Sequence, residues 1–184
     1  MDNAADSYRR FLEGDDNGLC EIIDEYNRGL SLYINHIVNN KCIAEEIMQN
    51  TFVKLAIKKP KFKGKSTFKT WLFAIARNEA VDFLRKKPRL SDIPVDEDFE
   101  ISDETDIENE YLKKEQKIKL HNSIKKLSEE YKQIIYLIFF EEFSVDEASK
   151  ILNKSKHQTS DLVYRAKSAL KIQLEKEGFV YEKL

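Results

Sequence analysis

Two short polar tetrads constrain this chain more than any other feature. Ser144-Val-Asp-Glu147 and Ser155-Lys-His-Gln158 both have the capping-box pattern. In such a box the serine hydroxyl accepts from the third amide, and the Glu or Gln side chain reaches back to the serine amide. Each tetrad therefore starts a helix, and the second starts eleven residues after the first. The first helix is Val145–Leu152, and Asn153, which tolerates left-handed backbone, ends it. The second runs to about Leu174. Two boxed starts joined by a short turn describe a helix-turn-helix. A plain αα-hairpin inside a bundle has the same spacing and stays open as the alternative.

On the second helix, Thr159, Val163, Ala166 and Leu170 form the inward stripe. Ser160, Asp161, Tyr164, Arg165 and Ser168 then point outward. In a helix-turn-helix, outward residues near this N-terminus meet base edges in the major groove. The segment before the boxes, LSEEYKQIIYLIFFEEF, starts at the N-cap candidate Ser128. Its apolar run at 134–140 is far too short to span a bilayer.

The rest of the chain reads as all-α. Only five glycines and three prolines interrupt 184 residues, 41% are hydrophobic, and helical periods run throughout. One helix covers about Leu19–Val38 and another about Ala44–Lys58, where Lys59-Pro60 stops it. A loop, KPKFKGKS, leads into STFKTWLFAIARNEAVDFLRKK, residues 66–87. Phe68, Trp71, Leu72 and Ile75 mark the inner side of that helix, which reads as core, with a stacking platform for bases as the lesser reading. Thr70, Ala74, Arg77, Asn78, Val81 and Arg85 form its outer sector. Residues 89–110 show no sustained period and contain Pro94, so they read as an acidic flexible linker. The expected architecture is two small helical domains, 1–88 and 111–184, joined by that linker.

The net charge of −2 conceals two blocks. From Lys54 to Arg89 twelve basic residues face two acids, and from Asp92 to Glu110 ten acids face no base. The basic block suggests a polyanion partner, against the plainer reading of a solvated surface. Cys20 and Cys42 have no metal-ligand spacing and read as free thiols. His36, His121 and His157 belong to no nucleophile or metal motif, and no glycine-rich phosphate loop is present. No enzyme, cofactor, metal or small-molecule substrate is expected. Met1 is followed by acids and not by a basic region, so a cytoplasmic location without membrane insertion is expected.

Both halves resemble one family. AEEIMQNTFVKL followed by STFKTWLFAIARNEAVDFLRKK is similar to the second region of bacterial RNA polymerase sigma factors. The pattern LS…EFSVDEASKILNKS…RAKSAL is similar to their fourth region. With only a short linker between them, the chain resembles the extracytoplasmic-function (ECF) type.

The resemblance implies a promoter-specificity subunit that binds core RNA polymerase, with Glu46, Ile47, Gln49, Asn50 and Phe52 at the polymerase clamp. Ile43 and Asn50 stand where the family usually has acids, which implies a differently tuned contact. It implies that Phe62, Lys63, Lys65 and Ser66 line the site of an extruded minus-ten base, and that Asn78 meets a base where melting starts. Arg77, Arg85, Lys86 and Lys87 would hold the adjoining duplex. Lys156, Ser160, Asp161, Tyr164, Arg165 and Lys167 would meet the minus-thirty-five element. The family commonly has a base where Ser160-Asp161-Leu162 stands; phosphate repels Asp161, but a carboxylate accepts from cytosine N4. The linker would thread the polymerase's RNA channel, or serve only as a tether. A membrane-anchored anti-sigma factor is the further implied partner. The competing reading is a helix-turn-helix regulator that binds duplex DNA without polymerase.

Overall fold

The computed structural model describes residues 3–86 and 119–179, and those residues are helices joined by turns. The expected linker at 89–110 and Lys87 lie outside the described residues. The N-terminal half has four helices: α1 (Asn3–Leu12), α2 (Asn17–Val38), α3 (Lys41–Lys58) and α4 (Phe68–Lys86). The C-terminal half has α5 (residues 119–125), α6 (Glu129–Ile135), α7 (Val145–Leu152) and α8 (Lys156–Lys176).

Local chemistry sets most of the helix ends. Asn39 takes a left-handed φ of 53° after α2, and the Asn40 side chain then accepts from the Ile43 amide at 3.0 Å to start α3. Lys59, at φ 44°, ends α3 just before Pro60. Both capping boxes form with both their bonds, and Asn153 at φ 53° closes α7. At Ser128 the N-cap position is filled, but the hydroxyl makes no capping bond.

Three features depart from the sequence reading. The helix α1 was not expected, and it buries Ala4, Ser7, Tyr8 and Phe11 against the bundle. Its Tyr8 hydroxyl donates to the Pro60 carbonyl at 2.8 Å, which ties the chain's start to the basic loop. Second, α6 runs into a π-helical turn, Tyr136–Phe140. The wider turn changes which side chains face inward. Ile134 to Leu137 are all buried, and Phe139 and Phe140 are half exposed. Third, on α8 Thr159 and Ala166 are buried as expected, but Leu162 joins them, and Val163 and Leu170 are only partly buried.

The long helix α2 is the centre of the N-terminal half, packed by α1, α3 and α4. Ile22, Leu30, Tyr33 and Ile34 are fully buried there, as are Phe68, Leu72, Phe73, Ala76 and Ala80 of α4. In the C-terminal half α8 packs on α6 and α7. The two halves also touch, α4 on α7 and α2 on α6, and one hydrophobic core runs through both. Phe73 meets Phe143 edge-on with centroids 5.1 Å apart, and Tyr33 stacks on Tyr136 at 6.1 Å.

Candidate nucleic-acid interface

The basic loop between α3 and α4 is held from beneath. Gly64 takes a φ of +67°, which its missing Cβ permits. Lys61, Lys63 and Lys65 are exposed, and Ser66 is half-buried. Phe62 turns inward. Its ring lies 5.6 Å from Phe68 and 5.3 Å from Trp71, in an aromatic cluster that includes Tyr8. Phe62 therefore anchors the loop to the core, and the lysines around it face solvent.

Along α4 the expected outer sector divides. Asn78, Arg85 and Lys86 are exposed. Thr70 is buried, and Arg77 is half-buried with its Nε enclosed beside the Tyr33 side. Helix α7 packs on α4, where Thr70 meets Glu147. The two acids within the basic block have local partners: Glu79 pairs with Lys54 across α3 and α4, and Asp82 lies 3.6 Å from Arg85. They hold the helix and steady its bases without emptying the face of charge.

The α3 residues expected at the polymerase clamp also divide. Glu46, Gln49 and Asn50 are exposed, whereas Ile47 and Phe52 are buried at 5% and 6% exposure and support the helix from inside. Val53 and Ile57, 50% and 77% exposed, continue the outward stripe at helical spacing. Sequence reasoning missed these two; apolar residues three and seven positions after an exposed Asn50 were the available signal.

On α8, Lys156, Ser160, Asp161, Tyr164, Arg165 and Lys167 are all exposed, Tyr164 at 75%. The Asp161 carboxylate lies 3.5 Å from His157, one turn back. Lys167 sits over the Phe139 ring at 5.1 Å, so the π-helical turn braces the helix's flank.

Glu147 links the two faces. As the box residue of α7 it accepts from the Ser144 amide at 3.0 Å and the Ser144 hydroxyl at 2.7 Å. Its Oε1 also lies 3.2 Å from both the Thr67 and the Thr70 hydroxyl of the other half, a pair that hydrogen-bond to each other at 2.7 Å. Burial pushes this carboxyl up, but the Ser144, Thr70 and Thr67 donors outweigh that and leave it below its ordinary value. Nearby, Lys69 reaches the Glu141 carboxylate at 2.8 Å and its carbonyl at 2.9 Å. Nothing in the local sequence marked Lys69, Thr67 or Thr70 for this role.

Among the described residues no three His, Cys, Asp or Glu side chains gather as a metal site, and no helix is long and apolar enough to cross a membrane. The surface presents an exposed lysine loop and Asn78 on one half, and a box-capped helix with an exposed face on the other.

Comparison with known proteins finds one family match in each half. The family described as Sigma-70 region 2 matches residues 22–90, and Sigma-70, region 4 matches residues 117–170. The RNA polymerase sigma factor SigV of Bacillus subtilis (strain 168) is 30% identical over 143 residues, covering 76% of this chain and 81% of that protein. SigZ of the same organism, also an RNA polymerase sigma factor, is 28% identical over 155 residues, 84% of this chain and 86% of its own. Among solved structures, the sigma factor RpoE of Bartonella quintana, in complex with the anti-sigma factor NepR, superposes with a TM-score of 0.66. It is 21% identical and covers 84% of this chain and 97% of that one.

Proposed function

This chain belongs to the sigma-70 family of RNA polymerase sigma factors, of the extracytoplasmic-function type, and from that premise we propose how its two surfaces divide the work. Residues 1–88 act as the region 2-like domain, 111–184 as the region 4-like domain, and 89–110 as the acidic linker between them. The exposed α3 face of Glu46, Gln49 and Asn50 binds core RNA polymerase. Lys63, Lys65, Ser66 and Asn78 receive the melted minus-ten strand, with Arg77, Arg85, Lys86 and Lys87 on the duplex beside it. Ser160, Asp161, Tyr164 and Arg165 read the minus-thirty-five element, with Lys156 and Lys167 on phosphate.

The carrying observation is the exposed lysine loop leading directly into Asn78's helix. Lysines neutralise backbone phosphate, and the affinity they give falls steeply with salt. Extruding a base costs a few kcal/mol of unstacking, which such a site must offset. No step breaks or forms a covalent bond on this chain, so the protein acts as an initiation factor in the cytoplasm and not as an enzyme. Control by an anti-sigma factor, anchored in the membrane, completes the reading; the likeness to a sigma factor solved with NepR supports the partner class.

Transcription in vitro on a genomic library, with core polymerase and this chain, tests the proposal. Defined starts that need both components are the expected result. A gel shift separates the rival reading: a specific promoter shift by the chain alone, unaided by core, would make it an ordinary duplex-binding regulator. For the anti-sigma partner, affinity capture from the source membranes should recover an integral protein; recovery of a soluble one would remove the membrane anchor.

A further inference from the structure

The start of α4 carries three donors of the kind that bind phosphate oxygens: the Thr67 and Thr70 hydroxyls and the Lys69 ammonium. They directly follow the lysine loop. In the free chain all three are engaged by acids of the other half. Lys69 meets the Glu141 carboxylate at 2.8 Å, and the two threonine hydroxyls, which share a 2.7 Å hydrogen bond with each other, both lie 3.2 Å from the same Glu147 oxygen. A carboxylate offers such donors the same kind of charged oxygen acceptor as a phosphate.

The surroundings fit a built contact. The Glu141 side chain is only 13% exposed and also accepts from the Tyr136 hydroxyl at 3.1 Å. It lies against α2 at Gly29, where an added Cβ would come within 2.6 Å of its Oε1. The Gly29 carbonyl, 3.3 Å from the Tyr136 hydroxyl, shares its single proton. Lys69 lies over the Phe143 ring at 4.8 Å, and Phe143 in turn packs on Phe73.

We propose that the two halves of the free chain form a latch, in which Glu141 and Glu147 hold the donors at the start of α4 in the place of promoter phosphate. That stretch of α4 is closed to DNA until the halves part. The occupant is the chain's own C-terminal half, Glu141 after the π-helical turn and Glu147 on α7, and the consequence for promoter DNA rests on the function proposed above.

Small-angle scattering on the full chain tests the latch. A compact globule of this length has a radius of gyration of about 16 Å, and the measured wild-type value is the reference for the variants. Lys69→Glu and Glu141→Lys each set like charges together and should enlarge the radius by several ångströms over wild type, with helicity by circular dichroism unchanged. The double swap Lys69→Glu/Glu141→Lys should return it toward wild type. Equal radii for wild type and both single variants, or a double swap as expanded as the singles, would overturn the latch. Transcription with core polymerase then separates the two proposals. Glu141→Lys should form open complexes several-fold faster than wild type. An enlarged radius with no gain in rate would overturn the phosphate-competition step. Wild type that starts no transcription with core would overturn the proposed function and leave the scattering result standing.

Discussion

The α8 face offers Ser160, Asp161, Tyr164 and Arg165 to solvent, whereas on the α4 face Thr70 is buried against Glu147 of α7 and Arg77 is half-buried. The difference suits the two tasks of the function proposed above. There, duplex reading by α8 would use a helix whose outward side chains are already in place. Strand capture by α4 would use Lys69, Thr67 and Thr70, which acids of the other half engage until DNA or polymerase replaces them. A buried donor left without a partner costs about 1–3 kcal/mol, so a guarded face is the more stable resting state.

Phe68→Ala has the largest expected effect on that contrast. Phe68 is fully buried beneath the start of α4, between Tyr8, Tyr26, Phe62 and Trp71. Removing such a ring costs about 3–5 kcal/mol. Urea unfolding read by the fluorescence of Trp71, the chain's one tryptophan, should show that loss. Far-UV circular dichroism, which also reports α6 to α8, should shift less. Equal shifts would mean that both faces stand on one cooperative unit.

Asn78→Ala comes next. It should lower open-complex yield by about tenfold, equivalent to ~1.4 kcal/mol, and leave core binding unchanged. Tyr164→Ala on the other face should instead weaken the closed promoter complex and leave the opening step unchanged. Permanganate footprints at saturating chain separate the two. If both variants fail at the same step, the faces do not divide the work.

How much of this was legible in the chain depends on distance along it. The helices α7 and α8 were legible because each start is written in four consecutive residues, and both boxes form. The Lys59-Pro60 stop was equally local. The helix α1 was missed although Ala4, Ser7, Tyr8 and Phe11 have helical spacing, because a polar Ser and an Arg pair dilute the stripe. The π-helical turn was not legible, since one extra residue in a turn changes no residue type. The latch was the least legible. Lys69 and Glu141, or Tyr33 and Tyr136, are far apart in sequence, and only the packed fold brings them together. That also explains why Arg77 and Thr70 read as an outer sector. Periodicity gives the faces of a helix but not what lies on each.

Ser155→Ala and Ser144→Ala give a smaller and more discriminating pair. Each removes one capping hydroxyl, worth about 1 kcal/mol, and each should lower the melting temperature by a few degrees. Ser155 and Gln158 bond only within the helix-turn-helix. Ser144, by contrast, positions the Glu147 carboxylate that also meets Thr67 and Thr70. Only Ser144→Ala should therefore enlarge the chain in solution. An equal change in radius for both would show that the box at α7 has no role across the halves.

The smallest effect concerns protons, and it separates the two faces again. His157 on α8 is exposed to solvent beside Asp161. His36 on α2 faces the other half: its ring lies 4.8 Å from Tyr136, and His121 of α5 and Lys132 of α6 act on it electrostatically. Burial, helped by His121 and Lys132, pulls His36 down to about 4. Once the halves part and His36 is solvated, its ordinary value of about 6.5 returns. The open form then binds the proton more readily, so acid favours opening. The latch holds fully above about pH 6.5 and weakens as the pH falls toward 4. From pH 7 to 6 the balance should move by roughly threefold toward the open form, under ~1 kcal/mol. Scattering at the two pH values reads this, and His36→Gln should remove the larger part of the change. An unchanged wild-type radius across that range would mean that closure does not desolvate His36, and the guard would then consist of the bonds at the start of α4 alone.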